Sequence, residues 1–172
     1  ETTFPDAVFP RMGELGFLGL DKPEAYGGQG GDYFSALVLA EEMTHANCGG
    51  LAMGIAVHTD MAMPPILAFG TEEQKQEWVV PAIKGEKILC LGITEPDAGS
   101  DVAGIKTRAV LDPAHPHEYV INGSKTYITN GHRADAIVLV TKTDPDAGYD
   151  GFTLFLVPMD APGVIREQRL KK

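Results

Sequence analysis

The spacing of apolar residues changes once along this chain of 172 residues, from a helical period before Lys84-Gly85-Glu86 to a strand period after it. Such segregation excludes alternating βαβ units and leaves two domains or an α+β layout. Before the switch, a short helix is expected from about Pro10 to Leu15, with Phe9, Met12 and Leu15 facing inward and Gly16 ending it. Gly27-Gly28-Gln29-Gly30-Gly31 reads as a flexible loop, after which Asp32 can cap a helix carrying Leu37, Val38, Leu39 and Met43. Residues 51–69 are too apolar for a surface helix and should run through the middle of a bundle, broken at Pro64-Pro65. His58, Thr59 and Asp60 are the polar exception there, read as satisfied core or interface groups, with ligand contact as the minority alternative. Thr71-Glu72-Glu73-Gln74 is a capping box opening a helix that buries Trp78 and ends near Pro81.

After the switch, residues 88–93, 106–111, 119–121, 125–129, 136–143, 152–158 and 164–170 have strand length and are separated by Gly, Pro, Asn and Asp. Asn122-Gly123 predicts a type I′ turn, because that turn needs positive φ at both central positions. Short strands joined this way predict an antiparallel barrel or sandwich.

Charge and composition remove several classes of function. Against 24 Asp and Glu stand 14 Lys and Arg, a formal charge of −10 that argues against a nucleic-acid surface. Residues 1–88 carry −8 of it and 89–172 only −2, so an anionic ligand meets less repulsion in the second half. No uninterrupted apolar run of membrane-spanning length is evident, and Glu1 opens no signal-peptide pattern. Cys48 and Cys90 form no CxxC pair and are expected as buried free thiols. His115-Pro116-His117 lacks further ligands at metal spacing and reads as an exposed loop. A dinucleotide loop fails too: GxGxxG from Gly28 would need Gly at position 33, where Tyr33 stands, and no strand precedes it.

Two runs carry the chemistry. In Ile93-Thr94-Glu95-Pro96-Asp97-Ala98-Gly99-Ser100-Asp101, Pro96 halts a strand, Gly99 lets the backbone approach a ligand, and Thr94 and Ser100 supply hydroxyls. Glu95, Asp97 and Asp101 are too crowded to flank a glycosidic bond and are read as bracing the loop or capping a turn. In Tyr127-Ile128-Thr129-Asn130-Gly131, a strand would put Tyr127 and Thr129 on one face and Ile128 on the other. An aromatic face beside a hydroxyl suits a planar heterocycle, although composition alone favours an ordinary half-buried strand. Ser124-Lys125 invites comparison with nucleophile-plus-lysine hydrolases, but a dipeptide at a hairpin turn with no third member is a weak signal.

Taken with Gly104-Ile105-Lys106-Thr107, Ile121-Asn122-Gly123-Ser124-Lys125 and the upstream Tyr26-Gly27-Gly28 and Gly70-Thr71-Glu72-Glu73-Gln74-Lys75, these runs resemble the acyl-CoA dehydrogenase family in order and spacing. The texture is similar to the long-chain and isovaleryl-CoA members. The resemblance implies an α+β chain: an N-terminal all-α helical domain at 1–87, then an antiparallel β-barrel middle domain at 88–172, incomplete, with the family's C-terminal helical bundle absent. It implies FAD held by Leu91, Ile93, Thr94, Gly99, Ser100, Tyr127, Ile128 and Thr129. Thr94 would sit near the pyrimidine edge, Gly99 and Ser100 near the phosphates, and Thr129 near N5. Ser100 would also meet the pantetheine arm of an acyl-CoA substrate, and Tyr127 stands where many relatives have Trp. Tyr149 and Asp150 depart from the polar or basic residues of relatives, so no phosphate contact is carried over to them.

The implied reaction is α,β-dehydrogenation of an acyl-CoA, in fatty acid or branched-chain amino acid catabolism, with electrons passed to electron transfer flavoprotein. The catalytic glutamate of the family would lie beyond Lys172, so no catalytic residue is assigned. A dimer or tetramer in a bacterial cytoplasm or mitochondrial matrix is the expected setting. A flavin oxidase or monooxygenase on the same scaffold, or a non-catalytic flavin- or CoA-binding fragment, are the alternatives.

Overall fold

The computed structural model describes residues 4–167 and 169. Among the described residues, the helices longer than one turn that come first are α1 (Val8–Glu14), α2 (Tyr33–Thr44), α3 (Gly49–Phe69) and α4 (residues 72–83). Five strands follow: β1 (Leu89–Gly92), β2 (Arg108–Leu111), β3 (Tyr119–Asn122), β4 (Ala136–Lys142) and β5 (Phe152–Pro158).

The expected helix signals act largely as read. Asp32 accepts from the amide of Ser35 at 3.0 Å to start α2, and Thr71 and Gln74 exchange both capping-box bonds to start α4. Phe9 and Met12 are buried on α1, whereas Leu15 falls just past its end and is half exposed. The expected break at Pro64-Pro65 does not occur, whereas the helix expected to end near Pro81 ends at Ile83. A π-helical turn, Val57–Ala62, precedes Pro64-Pro65, and another, Lys75–Val79, precedes Pro81. Such a turn shifts the hydrogen-bond register by one residue and widens the coil, which accommodates a ring that would clash in a regular α-helix. Thus, contrary to the expected break, α3 runs unbroken for 21 residues, long and apolar enough by length and composition to cross a membrane although His58 and Asp60 interrupt its apolar run. Its buried face instead packs in the protein interior, with Val57, His58, Ala62, Met63 and Ile66 all enclosed.

The sheet is mixed and open, not an antiparallel barrel. β4 is its centre, pairing parallel with β1 (Leu89↔Ala136), antiparallel with β5 (Lys142↔Phe152) and, at one end, parallel with β2 (Arg108↔Lys142); β3 extends β2 antiparallel. Hairpin turn signals cannot announce the parallel β1–β4 pair, because 43 residues separate its partners in sequence; β3 and β5 are not joined, so the sheet does not close. The 125–129 run is not a strand, and 164–167 is irregular, with Gln168 and Leu170 of that expected strand outside the described residues. Asn122-Gly123 makes no I′ turn, since neither residue has positive φ. The glycine is needed for another reason: a Cβ there would lie 2.2 Å from the Thr107 hydroxyl oxygen.

One core joins the halves. Ala62, Met63 and Ile66 of α3 and Trp78, Val79, Ala82 and Ile83 of α4 pack directly on Leu89, Ala136 and Val138 of the sheet. A second cluster, Phe9, Met12, Leu18 and Ile55, lies within the helical half. Of the two thiols, Cys90 is buried as expected and its pKa is pushed up to about 12 by burial; Cys48, preceding α3, is exposed.

Candidate functional site

The two motif runs become neighbours although neither is a strand through its length. β1 leads out of the core at Gly92, and the following residues turn back through a bridge between Glu95 and Ala98. After β3 the chain returns along this loop, and the amide of Thr126 donates to the carbonyl of Thr94 at 2.9 Å. Strand-end loops from two parts of the sheet thereby meet at Thr94.

Their stems are fastened by a buried ion pair. Lys125 Nζ donates to Glu95 Oε1 at 2.8 Å and to the carbonyl of Ile93 at 2.9 Å, with the two charged side chains 7% and 5% exposed. Glu95 Oε2 accepts from the Lys106 amide at 2.5 Å, and Oε1 also accepts from the Thr107 amide at 3.0 Å and from its hydroxyl. Burial alone would raise the pKa of Glu95, but the hydrogen bonds from Lys125, Thr107 and the two amides outweigh it and bring it to about 2. Burial lowers the pKa of Lys125, partly opposed by Glu95. Among the described residues Glu95 is the only buried carboxylate, and with four donors it is committed to bracing the loop, as read from sequence. Asp97 forms an exposed pair with Lys106 at 2.9 Å, which contributes little, and Asp101 does not cap the turn after it.

Among the described residues, the hydroxyls of Thr94, Ser100 and Thr129 make no hydrogen bond, nor do the amides of Gly99, Ser100 and Asp101. Gly99 is exposed, its φ is not positive, and an added Cβ would meet nothing within 4 Å, so the fold itself does not demand glycine there. Tyr127 is 73% exposed and sits at φ 57, a left-handed conformation that costs a bulky residue roughly 1–3 kcal/mol and recurs at ligand sites. The three aliphatic members differ. Leu91 packs on the shared core, Ile93 against Ala98, Ile105 and Val140, and Ile128 against Cys90, Ala134 and Ile137, so those side chains serve packing.

Open hydroxyls, unpaired amides and a free aromatic face suit a planar heterocycle carrying phosphates. The donor set therefore fits a flavin dinucleotide.

Sequence reasoning passed over three residues that hold this region. Lys125 and Thr107 form the brace; a lysine inside a run of strand-like polarity was the available signal. Asn130, at φ 67, is buried and donates through Nδ2 to the carbonyl of Gly54 at 2.7 Å, tying the second loop to α3. Asn before Gly131 is a left-handed signal in its own right. His58, read as a satisfied core group, is one: Nε2 donates to the Ala82 carbonyl and Nδ1 accepts from the Leu89 amide, both at 3.0 Å. Burial, with Lys22 nearby, lowers its pKa to about 4, so the ring is neutral.

Residues 1–86 match the family description "Acyl-CoA dehydrogenase, N-terminal domain", and residues 90–172 match "Acyl-CoA dehydrogenase, middle domain". Over 154 residues the chain is 42% identical to a short-chain-specific acyl-CoA dehydrogenase of Clostridium acetobutylicum, an alignment covering 90% of this chain and 40% of that protein. The crystal structure of an acyl-CoA dehydrogenase from Geobacillus kaustophilus matches with a TM-score of 0.90 at 42% identity, over 99% of this chain and 44% of its own. An acyl-CoA dehydrogenase from Bacillus anthracis, solved in complex with FAD, matches with a TM-score of 0.86 at 38% identity, over 97% of this chain and 28% of its own. The chain spans about two fifths of the length of the curated relatives it matches.

Proposed function

Because the chain belongs to the acyl-CoA dehydrogenase family, we propose that it supplies the flavin seat of an FAD-dependent α,β-dehydrogenation of an acyl-CoA thioester to the trans-2-enoyl-CoA. The observation that carries this reading is the set of polar groups at 94–101 and 127–129 that the fold positions and leaves without partners. FAD, when bound, would supply the hydride acceptor for the β-hydrogen, and electron transfer flavoprotein would be the partner that takes the electrons.

The chain's own residues bind and orient. The amides of Gly99 and Ser100 would donate to the diphosphate, where Gly99 allows the backbone to approach. Thr94 would offer its hydroxyl to the pyrimidine edge and Thr129 to N5. Tyr127 would cover the ring with its exposed aromatic face, and Ser100 would also contact the pantetheine arm. Leu91, Ile93 and Ile128 contribute backbone while their side chains hold the loops in place. Glu95 is not assigned as the α-proton base, since a pKa of about 2 makes it a weak base and four donors occupy its oxygens.

Reconstituting the full-length polypeptide with FAD and adding acyl-CoA thioesters of increasing length under anaerobic conditions tests the proposal. Bleaching of the flavin band by at least one thioester, with enoyl-CoA formed in equal amount, is expected. Failure to retain FAD, or retention without bleaching by any thioester, would contradict it. The same series distinguishes short-chain from long-chain or branched preference, for which the sequence texture and the short-chain-specific relative point in different directions.

A further inference from the structure

The Glu95–Lys125 pair lies behind the proposed flavin seat, and its connections go beyond one contact. Glu95 joins its own loop to the amides of residues 106 and 107, and Lys125 reaches from the stem of the second loop to Glu95 and to the carbonyl of Ile93. Gly123 packs closely against Thr107, and the Thr126 amide bonds to Thr94. Three stretches, 93–95, 106–107 and 123–126, therefore converge on one buried charge pair. No atom of the pair is hydrogen-bonded to the unpartnered hydroxyls, yet Thr94 adjoins one member and Tyr127 and Thr129 closely follow the other.

Stability alone does not explain this arrangement. Removing two charges from water costs about as much as their attraction returns, and an apolar pair of similar volume often does as well. What an ion pair provides and an apolar pair does not is direction. Lys125 can satisfy Glu95 and the Ile93 carbonyl together only over a narrow range of loop separations, whereas apolar side chains slide.

We propose that the buried Glu95–Lys125 pair is a positioning device that sets the separation of the two flavin loops, and through Thr94 and Thr129 tunes the electronic state of the bound flavin. This rests on the flavin-seat reading. Neither residue touches the ring; each acts through the loop it anchors. A change to the pair should alter the flavin's spectrum and reduction potential as well as the amount bound.

The test uses full-length holoprotein and three variants: Lys125→Met, which keeps the aliphatic stem; Lys125→Arg, which restores the charge; and Thr107→Val, which removes one Glu95 donor with little change in shape. Visible absorption, midpoint potential and FAD dissociation constant are measured, with apoprotein unfolding as the control. For Lys125→Met the dissociation constant should rise roughly ten-fold or more, as for residues that orient a binding group from behind. Its spectrum and potential should shift, Thr107→Val should move both in the same direction by less, and Lys125→Arg should largely restore them. If Lys125→Met does not fold, the Thr107→Val shift decides the matter. Wild-type protein that binds no FAD overturns the flavin-seat reading. Wild-type protein that binds FAD, with variants whose spectrum and potential are unchanged, overturns the positioning role and leaves the seat standing.

Discussion

The junction between helices and sheet and the loop pair at 94–101 and 124–129 handle polar atoms in opposite ways. At the junction, His58 uses both ring nitrogens on backbone groups of α4 and β1, and Asn130 reaches across to the carbonyl of Gly54. In the loop pair, the stems are saturated around Glu95 while the hydroxyls and amides nearer the tips are open. A region that only has to hold two elements together closes its hydrogen bonds within the protein. A region completed by a ligand must be braced from behind and left open in front.

Replacing His58 should separate the two regions most sharply. His58→Leu keeps much of the volume but leaves the buried Leu89 amide unpaired, while the Ala82 carbonyl keeps the Gly85 amide, a loss of roughly 1–3 kcal/mol in denaturant unfolding. Thr129→Val, measured in the same way without FAD, should lie close to wild type.

Acid should strike the two regions in sequence. An unfolded imidazole takes up its proton near 6.5, whereas folded His58 resists until about 4, so stability falls by about 3 kcal/mol as pH drops through that window and no further below it. For Glu95 the window is lower: an unfolded carboxylate protonates near 4.5 and the folded one near 2, so its stabilisation is complete above 4.5 and lost as pH falls toward 2. Hydrogen exchange at the Leu89 amide should report the first loss and at the Thr107 amide the second. Simultaneous loss would mean that the brace is not independent of the junction.

Two glycines make a smaller contrast. Gly85, at φ 73 and with a Cβ position 2.2 Å from the carbonyl oxygen of Phe9, should cost about 1–3 kcal/mol on substitution by Ala. Gly99→Ala should stay within about 0.5 kcal/mol of wild type without FAD, and weaken FAD binding measured by flavin fluorescence. The smallest effect on stability belongs to Ser100→Ala, whose hydroxyl has no protein partner: thermal unfolding of the apoprotein should be unchanged, and only ligand affinities should fall.

Local signals were legible in the sequence wherever the physics was local. The Asp32 cap, the capping box at Thr71 and the helix-to-strand switch each depend on residues a few positions apart. The parallel β1–β4 pair, the open sheet and the contact between the two loops depend on residues dozens of positions apart, which turn signals do not encode. Pro64 and Pro65 read as a break because a proline's cost is local, while the π turn that accommodates them is set by packing. The candidate site was visible as residue types, Thr94, Ser100, Tyr127 and Thr129, but its geometry was not. Tyr127 read as part of a strand, and its left-handed backbone and exposed ring appear only once Lys125 and Asn130 anchor the loop on either side.

Amide hydrogen exchange at Gly99, Ser100 and Asp101 in the full-length protein, with and without stoichiometric FAD, tests the contrast most directly. Rapid exchange without FAD is expected, slowed about ten-fold or more when FAD is bound, with the Thr107 amide protected in both states. Exchange at 99–101 that is already slow without FAD, or unchanged on adding it, would contradict the claim that the fold reserves these groups for the flavin.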